Sequence, residues 1–237
     1  MFFPERIASI EQNDRVLEIG PGGTPHPRAN VFLEKIYENP DDARRQRGKT
    51  PALKTDKEIF FYEGDKFPFN DDEFDYVICS HVLEHVENVD IFISEINRIA
   101  KKGYLEYPTV YYDYIYDFPE HTTFVLKRKN TINWMLKKET CLDKFKNVNS
   151  LFYQSLMKGH NGIIDDLKEF LFQGFEWSDV IITKHVTDIE HVCYNIAEID
   201  IPENQMLRKK KQDTSMSNKI KVVGNLFKLF RNRNIME

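Results

Sequence analysis

Residues Val16 to Thr24 read Val-Leu-Glu-Ile-Gly-Pro-Gly-Gly-Thr, an apolar strand that runs straight into a glycine turn. Gly20 and Gly22 allow the backbone to approach a bound molecule where a Cβ would intrude. Glu34 follows at the end of a second apolar run, Val31-Phe32-Leu33. A carboxylate in that place can accept hydrogen bonds from a ribose diol. A second set, His81-Val82-Leu83-Glu84-His85, has the H-x-x-E-H spacing of inverted zinc peptidases. On a helix its two histidines would share one face. The run follows a strand, Phe74–Cys79, rather than lying inside a long helix, so no metal is expected there. A third set is aromatic: Tyr104, Tyr107, Tyr111, Tyr112, Tyr114 and Tyr116, then Phe118 and His121. Aromatic clusters more often build cores, yet this one leaves the carboxyl end of a strand, where open α/β sheets bind ligands.

The elements that must position these residues follow from periodicity. Strand-like runs occur at Val16–Ile19, Val31–Leu33, Ile59–Tyr62, Tyr76–Cys79 and Tyr104–Tyr107. Helical spacing is clearest at Val89–Ala100, where Ile91, Phe92, Glu95, Ile96 and Ile99 recur at threes and fours. Strands alternating with helices imply a mostly parallel sheet covered on both faces. Beyond Pro108 the pattern changes. Phe124-Val125-Leu126 and Ile132 to Leu136 predict a β-hairpin, Leu151–Met157 and Ile163–Phe172 predict helices, and Asp179–Lys184 with His191–Ala197 predict an antiparallel last pair.

These residues, taken in order, resemble a class I S-adenosylmethionine-dependent methyltransferase of the type 11 group. Glu18-Ile19-Gly20-Pro21-Gly22 is similar to the family's first motif, and Glu34 stands where its ribose-binding acid belongs. Gly64-Asp65 with Phe67-Pro68-Phe69 resembles its adenine-contacting turn, and Phe74 to Val86 its fourth strand and following loop. The resemblance covers roughly residues 14 to 108. It implies an α/β fold with a doubly wound, mostly parallel, seven-stranded sheet and a cap, residues 108–175, inserted after the fifth strand, within a domain of residues 1–204. It implies S-adenosylmethionine as cofactor, held by Glu18, Gly20, Gly22, Glu34, Asp65, Ser80 and His81, with Glu18 near the cofactor's positively charged end. The implied reaction is methyl transfer to oxygen or nitrogen of a small-molecule or glycan-type acceptor, with His81, His121 and Tyr111 as the candidate general bases. A non-catalytic member of the same fold, binding cofactor or a protein partner, is the alternative. The chain departs from the pattern at Thr24, which replaces the third glycine, and at Pro25 and Pro27, which predict a first crossover helix cut to about one turn. The interval from Gly20 to Glu34 is also shorter than the usual spacing of roughly 20 residues, and only Gly103 stands where two glycines often precede the fifth strand.

The total charge of −5 hides an asymmetry. Residues 205–237 hold nine Lys or Arg and two acids, a net of +7, which leaves −12 for residues 1–204. An acidic body argues against a nucleic-acid substrate, because phosphate contacts dominate such binding. In the tail Ile220, Val223, Leu226, Phe227 and Phe230 share one helical face and Lys221, Lys228 and Arg231 the other, after a linker containing Lys209-Lys210-Lys211. Three readings stand for this basic amphipathic helix: docking on the acidic body, adsorption to an anionic membrane surface, or contact with a partner protein. The three scattered cysteines, the absence of a secretory pattern at Met1–Arg6 and the lack of an 18-residue apolar run lead to the expectation of a cytoplasmic protein, peripheral to membranes if the tail adsorbs.

Overall fold

Val-Leu-Glu-Ile at Val16–Ile19 is buried throughout, and so is most of every strand beside it, as expected of a parallel sheet covered on both faces. The computed structural model describes residues 1–37, 39, 41, 53–199 and 201. The chain divides into two units, Met1–Tyr194 and Asn195–Glu237. In the second, the described residues form a 3-10 turn, Ile196–Glu198, with the Asn195 side chain accepting from the Ala197 amide at 3.2 Å. The basic tail, including the expected amphipathic helix, lies outside the described residues.

In the first unit, strands β1 (Val16–Ile19), β2 (Val31–Lys35), β3 (Glu58–Tyr62), β4 (Tyr76–Ser80) and β5 (Lys102–Pro108) run parallel, and β8 (Phe172–Ser178) closes the edge antiparallel to β5. The order is β3-β2-β1-β4-β5-β8. Helix α1 (Val89–Ile99) crosses from β4 to β5. Asn88 caps it by accepting from the Ile91 amide at 3.2 Å, and Val89, Phe92, Ile93, Ile96 and Ile99 are buried. Glycine is required where the sheet is crowded: a Cβ on Gly103 of β5 would meet the Val77 carbonyl oxygen at 2.2 Å, and one on Gly174 of β8 the Tyr104 hydroxyl oxygen at 2.3 Å.

Between β5 and β8 the chain forms α2 (Val110–Tyr116), a hairpin of β6 (Thr123–Arg128) and β7 (Thr131–Leu136), α3 (Lys146–Met157) and α4 (Gly162–Leu171). Strand β9 (Ile182–His185) joins the hairpin, parallel to β7, to give a second sheet of order β6-β7-β9.

Three expectations need correction. The main sheet has six strands among the described residues, not seven. Its antiparallel member is Phe172–Ser178, because the aromatic run Phe170-Leu171-Phe172 ends the helix and opens the strand at once, and β9 pairs with the hairpin instead. His191–Ala197 is not a strand: Ile189–Val192 is a 3-10 turn that buries Val192. Nor does a helical turn form between β1 and β2, where Pro25 and Pro27 remove amide donors and the chain makes plain turns.

Candidate active site

The carboxyl ends of β1, β2 and β4 lie along one edge of the sheet, because the three strands are parallel neighbours. At the end of β1 the backbone turns left-handed at both glycines, φ +61° at Gly20 and +59° at Gly22. A Cβ on Gly20 would stand 2.7 Å from Cγ2 of Val82, so this turn and the loop after β4 are packed against each other. The Gly20 amide donates to the Leu33 carbonyl at 2.9 Å, tying the turn to the strand that delivers Glu34. Glu18, 4% exposed, accepts from the His26 amide at 2.7 Å. Burial, only partly offset by that bond, pushes its carboxyl up to about 7. Glu34 is half-buried at the end of β2. Asp65 is exposed, in a turn made by Gly64 at φ +71°.

Ser80 and His81 meet a residue that the sequence reading did not single out. Glu106 of β5 is fully buried. It accepts from the Ser80 hydroxyl at 3.0 Å, the Tyr104 hydroxyl at 2.7 Å and the amides of Phe2 and Phe3 at 2.7 and 2.9 Å. Nε2 of His81 lies 3.0 Å from the same carboxylate, close enough for an ion pair but off the line of a hydrogen bond. Burial would raise the Glu106 carboxyl, yet His81, Tyr104 and the Phe2 amide hold it down at about 2. An acid in the middle of a buried strand, Tyr-Leu-Glu-Tyr, was the available signal, since a buried charge must be paired.

His81 has φ +57°, and Nδ1 sits 3.3 Å from a Glu84 carboxylate oxygen. Burial lowers its affinity for a proton, but Glu106 and Glu84 more than offset this and bring it up to about 9. The two carboxylates thus favour its charged form, which makes it less suited than a neutral imidazole to accept a proton. Only Leu83–His85 is helical, as a 3-10 turn, and His81 precedes it, so His81 and His85 do not share a helix face as the zinc-peptidase arrangement would need.

His121 is held by Asp113, whose carboxylate oxygens lie 2.9 and 3.0 Å from its Nδ1. Burial opposes its charge, but Asp113 raises its proton affinity above the ordinary value. With Tyr116, Thr122, Leu136, Lys137 and Tyr153 it lines a cavity of about 670 Å³. Thr122 joins this cavity to the sheet edge, its amide donating to the Glu84 carbonyl at 2.7 Å. Tyr111 and Tyr112 are placed elsewhere. The Tyr111 hydroxyl accepts from the Tyr194 amide at 2.9 Å and its ring stacks on Tyr194, while buried Tyr112 stacks on Phe118. Neither lines the cavity; a Glu84 carboxylate oxygen lies near both His81 and His121, while Tyr111 packs on Tyr194.

Residues 28–105 match the family described as methyltransferase domain. Over this stretch the chain is similar to methyltransferase domains. The match begins after the glycine turn and takes in Glu34, Asp65, Ser80 and His81, and it implies S-adenosylmethionine as the cofactor. The donor set fits that group: two left-handed glycines, a buried carboxyl that a cation would ionise and a strand-end acid. No curated protein matches the sequence. Among solved structures, a Bacillus halodurans putative methyltransferase is 22% identical over 47% of this chain and 55% of its own, with a TM-score of 0.34. A Thermotoga maritima methyltransferase, described as a possible histamine N-methyltransferase, is 21% identical over 45% and 49%, with a TM-score of 0.31. The chain thus spans about half the length of each. No helix of the described residues is long and apolar enough to cross a membrane.

Proposed function

We propose that this chain transfers the methyl group of S-adenosylmethionine to an oxygen or nitrogen of a small polar acceptor, a hydroxylated metabolite or glycan fragment, bound under the 108–175 cap of a domain formed by residues 1–204. The observation that supports it best is the juxtaposition of the glycine turn, Glu18 and Glu34 at one sheet edge with a cavity reached through Glu84 and Thr122. When bound, the cofactor supplies a methyl group already activated as a sulfonium. Glu34 and Asp65 would hold its nucleoside, Gly20 and Gly22 would let it approach the backbone, and ionised Glu18 would pair with its cationic end.

The chain's own task is then alignment and exclusion of water. Glu106 holds Ser80 and His81 at the rim, and the His81 charge, paired with two carboxylates, serves positioning. His121, steered by Asp113, is the residue of the cavity wall best suited to accept a hydrogen bond from the acceptor's O–H or N–H. The cavity also carries Lys137, 2.7 Å from Asp117, and Lys138, Lys146 and Asp143, which favour a polar acceptor over a lipid. With its acidic body the domain is a poor match for nucleic acid.

Calorimetry with S-adenosylhomocysteine, followed by transfer of radiolabel from the cofactor to a panel of sugars, amines and phenols, tests the reading. No binding by the folded chain would refute it. Binding without transfer to any acceptor, with the chain retained on a protein partner, would favour the non-catalytic alternative.

A further inference from the structure

The acid and imidazole of Glu84-His85 stand side by side in the 3-10 turn after β4. The loop carrying His121 is pinned onto that turn by the Thr122 amide bond to the Glu84 carbonyl and by the Thr123 hydroxyl, which donates to the Val86 carbonyl. Ring centroids of His85 and His121 are 5.0 Å apart, edge to face. A Glu84 carboxylate oxygen and one ring nitrogen from each histidine all lie within 4.8 Å of one another.

Two further observations point to a ligand. Nδ1 of His85 faces the Glu120 carbonyl at 2.9 Å, and Nδ1 of His121 faces the Asp113 carboxylate. Both partners only accept, so each Nδ1 carries a proton and Nε2 is the nitrogen that each ring has left to offer a lone pair. Carbonyl and carboxylate partners on the far nitrogen are what orient metal-binding imidazoles. The Glu84 side chain is 2% exposed, and its Oε2 is buried without a hydrogen-bond partner among the described residues. An unpaired carboxylate oxygen in the interior is costly, and a cation beside it would satisfy it.

We propose that Glu84, His85 and His121 bind one divalent transition-metal ion, with Asp113 and the Glu120 carbonyl orienting the two imidazoles. Two imidazoles and one carboxylate suit zinc, manganese, iron or cobalt better than magnesium or calcium, which favour all-oxygen sets. Ligand atoms about 2.1 Å from a shared ion stand at most roughly 4.2 Å apart, so the triad contracts slightly on binding. Three protein ligands leave coordination positions open, as in reactive rather than purely structural sites. Because His121 also lines the cavity, an open position is available to an acceptor oxygen. That last point rests on the methyl-transfer reading, whereas the metal site does not. With the ion bound, the His121 lone pair is committed to it, and coordination replaces the direct hydrogen bond to the acceptor. The sequence analysis expected no metal here, and the H-x-x-E-H spacing groups Glu84 and His85 with His81, whereas the histidine beside them in this site comes from the segment after β5.

The test uses the full chain, stripped with a chelator and titrated with Co²⁺ and with Mn²⁺. The expected result is saturable binding of one equivalent per chain, a Co²⁺ ligand-field spectrum without a thiolate charge-transfer band, and a raised melting temperature. Asp113→Asn, which keeps all three ligands, should bind about 10–100-fold more weakly. Glu84→Gln and His121→Gln should lose the site; if one of them fails to fold by circular dichroism, the other decides. Absence of binding by the wild type, equal binding by a folded ligand variant, or a thiolate band placing the ion on a cysteine would each overturn the proposal. Affinity for S-adenosylhomocysteine, measured on the same samples, separates the two readings: metal binding without it sinks only methyl transfer.

Discussion

Replacing Glu18 by Gln removes a titrating group from the interior while keeping its shape and an oxygen for the His26 amide. Burial lifts the Glu18 carboxyl from an ordinary 4.5 to about 7 in the folded chain. A carboxyl whose folded value is raised contributes stability that is fully present below the unfolded value and is lost as pH rises through the folded one. Each pH unit between the two is worth 1.36 kcal/mol, so the wild type should lose about 3 kcal/mol from this group between roughly pH 4.5 and 7. For a chain of this length that corresponds to roughly 6–12 °C in melting temperature. Glu18→Gln has no such loss. The difference between the two melting curves, followed by circular dichroism from pH 4.5 to 8, isolates the residue, because His26, whose proton affinity is lowered by burial and Arg28, titrates in both proteins. The variant should gain on the wild type steadily up to about pH 7 and then hold its advantage. Parallel curves across the window would refute the argument that Glu18 is an unpaired buried acid awaiting a cation. In the wild type, affinity for a cationic cofactor should rise over the same range, and in the variant it should not.

Other outcomes follow from single contacts. Glu34→Ala should weaken S-adenosylhomocysteine binding by about 1.5–3 kcal/mol in calorimetry, as for a lost hydrogen bond to a charged group; unchanged affinity would move the ribose role to another acid. Glu106→Ala strips the common partner of Ser80, Tyr104, His81 and the Phe2 and Phe3 amides, and should cost about 3–5 kcal/mol in denaturant unfolding. Tyr111→Phe removes the acceptor for the Tyr194 amide and a hydroxyl beside the Cys193 thiol, so it should lower stability by about 0.5–1.5 kcal/mol and leave turnover intact, whereas His121→Ala should abolish turnover with cofactor affinity near wild type. Gly20→Ala forces a Cβ at positive φ within 2.7 Å of Val82, and melting should show a loss of at least about 1–2 kcal/mol.

Much of the sheet edge that carries the proposed cofactor site was legible in the sequence. Strands β1 to β5 occur within a residue or two of where apolar runs placed them; the inner ones, β1, β2, β4 and β5, are buried on both faces and must be apolar nearly throughout, and that composition is visible locally. The glycines and the strand-end acid were legible for a similar reason: each answers to its immediate backbone, as the left-handed φ at Gly20 and Gly22 shows. Tertiary structure decided the rest, where a residue's role depends on a partner distant in the chain. Phe172–Ser178 is a strand because β5 offers it an edge and Tyr104 leaves room only for Gly174. His81 and His121 looked alike as candidate bases, yet Glu106 and Glu84 flank His81, Asp113 pairs with His121, and the Thr122 bond to the Glu84 carbonyl pins the loop carrying His121 onto the sheet edge. A histidine's protonation follows from the carboxylates that surround it in space, and spacing along one chain carries no record of which they are.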